Sequence, residues 1–153
     1  MTDAPAGTAA REIDPQLLDF AAGQHRGVLV TLKRDGRPQL SNIGYTLDRG
    51  GLVARVSVTA DRARTRNLQR DPRASLHVTS PDFWTWVVLD GDARLTPVTT
   101  DPHDATADAL VDYYRAVSGE HPDWEEYRRA MVTDRRLLVE LHVGHAYGQL
   151  PRG

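Results

Sequence analysis

The chain has 153 residues, a formal net charge of −2, 40% hydrophobic residues and no cysteine. That length suffices for one domain with its own apolar core, and the missing thiols exclude disulfide frameworks, thiolate zinc sites and a cysteine nucleophile. Near-balanced charge argues against a nucleic-acid surface, and no apolar run approaches bilayer length, so a cytoplasmic protein without nucleic-acid or membrane partners is expected. Residues 1–12 read as a disordered N-terminal tail, followed by a single domain over residues 13–149.

Asp14-Pro15 reads as a helix start, a capping carboxylate followed by proline at the first helical position, and Leu17, Leu18 and Ala21 continue at helical spacing to an end near Gly23. In the strand predicted over 27–33, Val28, Val30 and Leu32 share a face. Asp35-Gly36 then turns the chain into a strand over 39–47. Asp48-Arg49-Gly50-Gly51 signals a second hairpin into a strand over 52–58, where Leu52, Ala54, Val56 and Val58 oppose Arg55 and Ser57. A short helix over 64–70 is stopped by Asp71-Pro72. Over 73–79 the alternation sets Ala74, Leu76 and Val78 against Ser75, His77 and Thr79. Strands over 83–89 and 93–96 flank Asp90-Gly91-Asp92, which reads as a bulge or a tight turn.

The period then becomes helical. Asp101-Pro102 is expected to cap a helix carrying Ala105, Leu110, Tyr113 and Val117 up to Gly119, and Pro122 to open another with Trp124, Tyr127 and Met131 on one side. A last strand spans 137–143. Hairpin joins are too short for the crossovers of a parallel sheet, so the expected class is mainly β with helices, an α+β antiparallel β-barrel.

Chemistry concentrates in Arg62, Arg64, Thr65, Arg66 and Asn67, directly after a strand. A strand, a loop and a basic helix start bring N–H groups and guanidinium forks toward one point, which suits a phosphate; the same residues also fit a solvated arginine face. Gln39, Ser41 and Asn42 on one strand and Arg55 and Ser57 on the next are expected to line one groove ending at the arginines, or else to form a hydrated outer face. No nucleophile elbow or dinucleotide glycine motif is present. His142 and His145, three apart in a strand, should point to opposite faces, which disfavours a shared metal. Phe83, Trp84 and Trp86 suit core or dimer-interface packing, or a ring stacked on a flat heterocycle; Tyr113, Tyr114, Trp124 and Tyr127 suit helix-to-barrel or subunit packing.

Four motifs in order carry a resemblance: Gly36-Arg37-Pro38-Gln39-Leu40-Ser41-Asn42, Arg62-Ala63-Arg64-Thr65-Arg66-Asn67-Leu68, Asp71-Pro72-Arg73-Ala74, and the run from Tyr127 to Arg136. Together, over residues 17–148, the chain resembles the pyridoxamine 5′-phosphate oxidase-like split β-barrel superfamily, and within it the actinobacterial deazaflavin-dependent branch. The resemblance implies a six-stranded antiparallel split β-barrel of FMN-binding-like type. It implies a homodimer with the cofactor groove at the interface, and coenzyme F420 as cofactor, with FMN the alternative. Carried onto matching positions, it assigns Arg62, Arg64 and Thr65 to the cofactor phosphate, Ser57 and Asn67 nearby, and Gln39, Ser41 and Asn42 to the ring system. Many relatives have lysine where Arg64 stands; arginine keeps the charge and adds a bidentate fork. The implied activity is hydride transfer from reduced deazaflavin to an unsaturated or heterocyclic small molecule, a biliverdin-like tetrapyrrole among the candidates. An FMN-dependent oxidase or reductase and a non-catalytic coenzyme or tetrapyrrole carrier are the alternatives. No catalytic side chain is assigned; a proton could come from solvent, Tyr147 or His145.

Overall fold

A computed structural model describes residues 12–50 and 52–151. The expected tail, apart from Glu12, and Gly51 of the second hairpin lie outside the described residues. Helix α1 (Pro15–Ala22) starts as its sequence dictates, with Asp14 Oδ1 accepting from Gln16 N–H at 2.9 Å. Strands β1 (Arg26–Leu32) and β2 (Pro38–Gly44) form a hairpin whose turn holds Gly36 at φ +89°, a left-handed conformation suited to glycine. Then follow β3 (Thr46–Asp48), β4 (Val53–Thr59), α2 (Ala63–Arg70), β5 (Arg73–Thr79), β6 (Trp86–Leu95), α3 (Ala105–Ser118), α4 (Trp124–Thr133) and β7 (Arg136–Gln149).

Among the described residues these strands make one antiparallel sheet of seven, in the order β2-β1-β5-β6-β7-β4-β3, where six strands were expected. The difference arises at Tyr45. The run expected as one strand pairs with β1 up to Gly44 and with β4 from Thr46 onward, so consecutive residues supply both ends of the ladder and the sheet must curl. Tyr45 is fully buried at that junction; its N–H donates to the His25 carbonyl at 2.9 Å and its hydroxyl to the Ala21 carbonyl. β2 also runs close to β4, yet no ladder joins them. Tyr113 of α3 spans this split: its hydroxyl donates to the Gly44 carbonyl at 2.9 Å and faces the Ser57 N–H of β4. Burial raises the Tyr113 pKa, against the opposing pull of the Ser57 N–H and the Arg136 charge.

The inner face carries the core, with Leu29, Val56, Val58, Leu76, Leu89 and Val139 joined by Leu17 and Leu18 of α1 and Leu68 of α2. Val28, Val30 and Leu32 do share a face, but it is the half-buried outer one; Leu29 and Thr31 turn inward. Helices α3 and α4 pack on the outer face through Leu110, Val111, Tyr127 and Leu138. Elsewhere on the outer face Leu40 and Tyr147 are 60% and 47% exposed.

Helix α3 begins at Ala105 because Asp104, not Asp101, collects the free N–H groups: Oδ1 accepts from Ala107 N–H at 2.8 Å and Oδ2 from Thr100 N–H at 2.9 Å. Asp123 likewise caps α4, one residue past the expected proline. Partial desolvation pushes the Asp104 carboxyl up, but the N–H groups of Thr100 and Ala107 and the Thr99 hydroxyl outweigh it and bring the pKa to about 2. A depressed carboxylate pKa stabilises the fold above the unfolded-chain value, and that contribution disappears as pH falls through the folded value. Asp104→Ala should therefore cost about 1–2 kcal/mol at neutral pH. In thermal unfolding the gap to the unaltered protein should close as pH approaches 2.

Candidate anion site and an outer-face cleft

The turn between β4 and α2 is pinned at one oxygen: the Thr59 carbonyl accepts from Arg62 N–H at 3.3 Å and from Thr65 Oγ1 at 2.8 Å. Ala60 N–H donates to the Arg135 carbonyl at 3.0 Å, which brings the start of β7 alongside, with Arg136 directly across from Thr59. Arg62 occupies the N-cap position of α2 and makes no side-chain capping bond, so the first-turn N–H groups and the positive end of the helix dipole face outward uncapped.

Around this point stand three guanidinium groups, an exposed Arg62 and half-buried Arg64 and Arg136. The Arg64 pKa is lowered, first by burial and then by the charges of Arg62 and Arg136. Among the described residues neither Arg62 nor Arg64 has a carboxylate within ion-pair distance. Arg136 Nη1 donates to Ser57 Oγ at 3.3 Å, and its nearest carboxylate is Asp134 at 3.8 Å. Among the described residues the buried side-chain polar atoms without a hydrogen bond are Thr59 Oγ1, Arg64 Nε and Arg136 Nε. The Asp61 carboxylate, its pKa lowered by the Thr59 hydroxyl, its own N–H and nearby arginines, lies beside Thr59 but makes no bond of good geometry with Oγ1. The unsatisfied atoms thus gather in one place, and all carry N–H or O–H groups suited to an anion.

The structure brings Arg62, Arg64, Thr65 and Ser57 to this place, the Thr65 hydroxyl turned inward, but disperses the other expected residues. Thr65 and Asn67 are buried, the first bonded to the Thr59 carbonyl and the second donating from Nδ2 to Thr31 Oγ1 at 3.1 Å. Gln39 and Ser41 lie opposite Thr31 and Leu29 on the inner face, whereas Asn42 lies opposite Val28 on the outer face, by pleat alternation. Arg55 is spent on Glu140 at 3.3 Å. The single polar groove does not form, because the second hairpin joins β3 rather than β2 to β4, and Ser57 faces outward while Gln39 and Ser41 face inward. Arg136 is the residue that sequence reasoning missed. Its signal is a basic residue opening a strand, and it gains meaning only with the register that sets it against Thr59.

A separate cleft of about 760 Å³ opens on the outer face, its lining including Val30, Leu32, Ser75, Asp90, His142 and His145. None of the eight expected cofactor residues lines it. A bulge shapes it: Asp90 pairs with His145 and Gly91 with Val143, so Gly144 is the extra residue. The shift in phase turns His142 and His145 to the same face, against the expectation of opposite faces. Asp90 Oδ1 accepts from Ser75 Oγ at 2.6 Å, and Oδ2 lies 3.3 Å from His145 Nδ1. A β-carbon at Gly91 would lie 1.9 Å from the His142 carbonyl oxygen, so the close approach requires glycine. Among the described residues no group of three or more His, Cys, Asp or Glu could hold a metal ion. No described helix is long and apolar enough to cross a membrane. Phe83 and Trp84 are 60% and 70% exposed and stack edge-to-face on each other, which removes them from the protomer core.

A curled antiparallel sheet, split at one seam and flanked by helices, is the architecture of split β-barrels, and solved structures share it. An F420 reductase matches with a TM-score of 0.62 at 21% identity, covering 86% of this chain and 96% of that one. The heme storage protein HutZ from Vibrio cholerae matches with a TM-score of 0.64 at 14% identity, covering 90% and 95%. The pyridoxamine 5′-phosphate oxidase family model matches residues 13–149, and the chain belongs to that family. It is also 28% identical over 131 residues to an F420H(2)-dependent biliverdin reductase of Mycobacterium tuberculosis (strain CDC 1551 / Oshkosh), covering 86% of this chain and 84% of the relative.

Because the Thr65 hydroxyl is committed to the Thr59 carbonyl in a fully buried setting, Thr65→Val should destabilise the fold by about 1–3 kcal/mol in chemical denaturation.

Proposed function

We propose that this chain is an F420-dependent reductase that acts on an unsaturated or heterocyclic small molecule, with a biliverdin-like tetrapyrrole as the first candidate acceptor. The observation that carries the reading is the group of guanidiniums without ion-paired carboxylates at the uncapped start of α2, with buried N–H and O–H groups that an anion would satisfy. A coenzyme bearing a phosphate and an acidic tail fits that donor set. Similarity to the mycobacterial biliverdin reductase supports the choice of deazaflavin over FMN. In this reading Arg62, Arg64 and the first-turn N–H groups, that of Thr65 included, hold the phosphate, with Ser57 beside them. Asn67 acts from behind by fixing α2 to Thr31. Gln39, Ser41 and Asn42 keep their proposed place along the ring system, Asn42 from the face opposite to the other two.

The chemistry supplied at this site would be hydride transfer from the reduced ring to the acceptor, which asks no nucleophile of the protein. What the chain contributes is orientation and charge neutralisation. The domain assignment, residues 13–149 with a preceding tail, belongs to the same reading, as does a cytoplasmic setting. So does a homodimer: the outer face of β1 and β2, with Val28, Val30, Leu32 and the exposed Leu40, is an apolar sheet surface that a second copy would cover. Leu40→Asp should shift the protein from dimer to monomer in light scattering, with its fold intact by circular dichroism.

A second reading, a carrier of a tetrapyrrole, draws on the cleft beneath His142 and His145 and on the likeness to the Vibrio heme storage protein. Titration with F420 and with FMN separates the cofactors. Mixing reduced, loaded protein with biliverdin under anaerobic conditions separates enzyme from carrier, since a carrier would oxidise the cofactor no faster than the free solution reaction. Arg64→Ala should weaken F420 binding by about 1.5–3 kcal/mol, read as the change in Kd; an unchanged Kd would remove the phosphate from this place.

A further inference from the structure

We infer that Arg136, seated against Thr59, is a third arm of the anion site, so that the phosphoryl group is held between the start of α2 and the start of β7 rather than by α2 alone. This deepens the proposed function and rests on it. Arg136 opens β7 directly across from Thr59, while Arg62 opens α2 from the same turn, so the two elements converge from opposite sides. Two of the three unsatisfied buried atoms, Thr59 Oγ1 and Arg136 Nε, belong to this pair, and the third, Arg64 Nε, belongs to the residue whose charge Arg136 opposes.

A structural role accounts poorly for Arg136. Its one carboxylate neighbour among the described residues, Asp134, lies 3.8 Å away and is half exposed, a geometry that contributes little. Its bond to Ser57 Oγ uses a single N–H and leaves donors of the fork free. Its charge raises the electrostatic cost of burying Arg64. An anionic phosphate reverses each of these: it offers acceptors to both forks and to the Thr59 hydroxyl, and it turns mutual repulsion into shared attraction. Arg136 therefore costs stability in the free protein and returns it on anion binding, a signature that a purely structural arginine would not give.

The test compares unaltered protein, Arg136→Gln, Arg136→Lys and Arg64→Ala by thermal unfolding and by calorimetric titration, with inorganic phosphate and F420 as probes at matched ionic strength. Arg136→Gln should unfold at the same or a higher temperature than the unaltered protein without phosphate. It should lose the phosphate-induced rise in Tm and bind both probes about tenfold or more weakly. Arg136→Lys, with charge but no fork, should fall between. If Arg136→Gln keeps the phosphate response and the F420 Kd while Arg64→Ala loses them, the inference is overturned and the cofactor reading stands. If phosphate binds with Arg136 dependence but F420 does not bind, the third arm stands and the F420 reading fails. Binding of neither probe by the unaltered protein overturns both. Should Arg136→Gln not fold, Arg136→Lys decides: weaker phosphate binding supports the third arm, and unchanged binding rejects it.

Discussion

A strand's backbone has two edges, and the run from Pro38 to Asp48 satisfies its edges with different neighbours in its two halves. Its first half bonds to β1 and its second to β4, so the change of partner at Tyr45 forces the sheet to bend back on itself. Burying the Tyr45 ring makes that bend part of the core, and the bonds of its N–H and hydroxyl to the two residues that frame the α1–β1 connection tie the first helix to the same point. The seam that results is bridged by one phenol from α3. The end of β4, bonded to β7 on one side, is thereby left to launch α2 with its arginines outward.

The start of α2 stores charge against its own interest. Half-buried Arg64 sits in the field of Arg62 and Arg136, and both charges, together with its burial, oppose its own. The turn survives that load because it is anchored from beneath by groups that carry no charge. Thr65 bonds the Thr59 carbonyl, Asn67 reaches Thr31, and Leu68 enters the core. The residues closest in sequence to the arginines thus serve as foundation, and the residue that joins the arginines comes from a strand far along the chain. Proximity in the motif and proximity in the site are different things here.

Much of this was readable from local pattern. The cap at Asp14, the glycine turn at Gly36, the alternation of β4 and β5 and the stop at Asp71-Pro72 all follow from short-range chemistry, and each lies where expected. What failed to show were features set by partners at a distance. Splitting of one strand into β2 and β3 depends on which neighbour each half meets. The inward turn of Gln39 and Ser41 follows from a register that leaves Val28 and Val30 outside, although their apolar character suits either face. Asp104 displaced Asp101 as a cap because four donors converge on it, a convergence no dipeptide reveals. Arg136 reads as surface charge until Thr59 is set beside it.

The extra residue in β7 has a consequence for how such a barrel can change. The bulge at Gly144 breaks the count of the pleat, so His145, Tyr147 and Gln149 face outward where unbroken alternation from Leu137, Val139 and Leu141 would turn them inside. Deleting Gly144 would restore plain alternation with the same partners on β6, whereas moving the bulge along β7 would turn over each residue it passes. A strand with a movable bulge is in this sense a switchable frame, able to present a different set of side chains to the cleft without renegotiating the packing that holds the barrel closed.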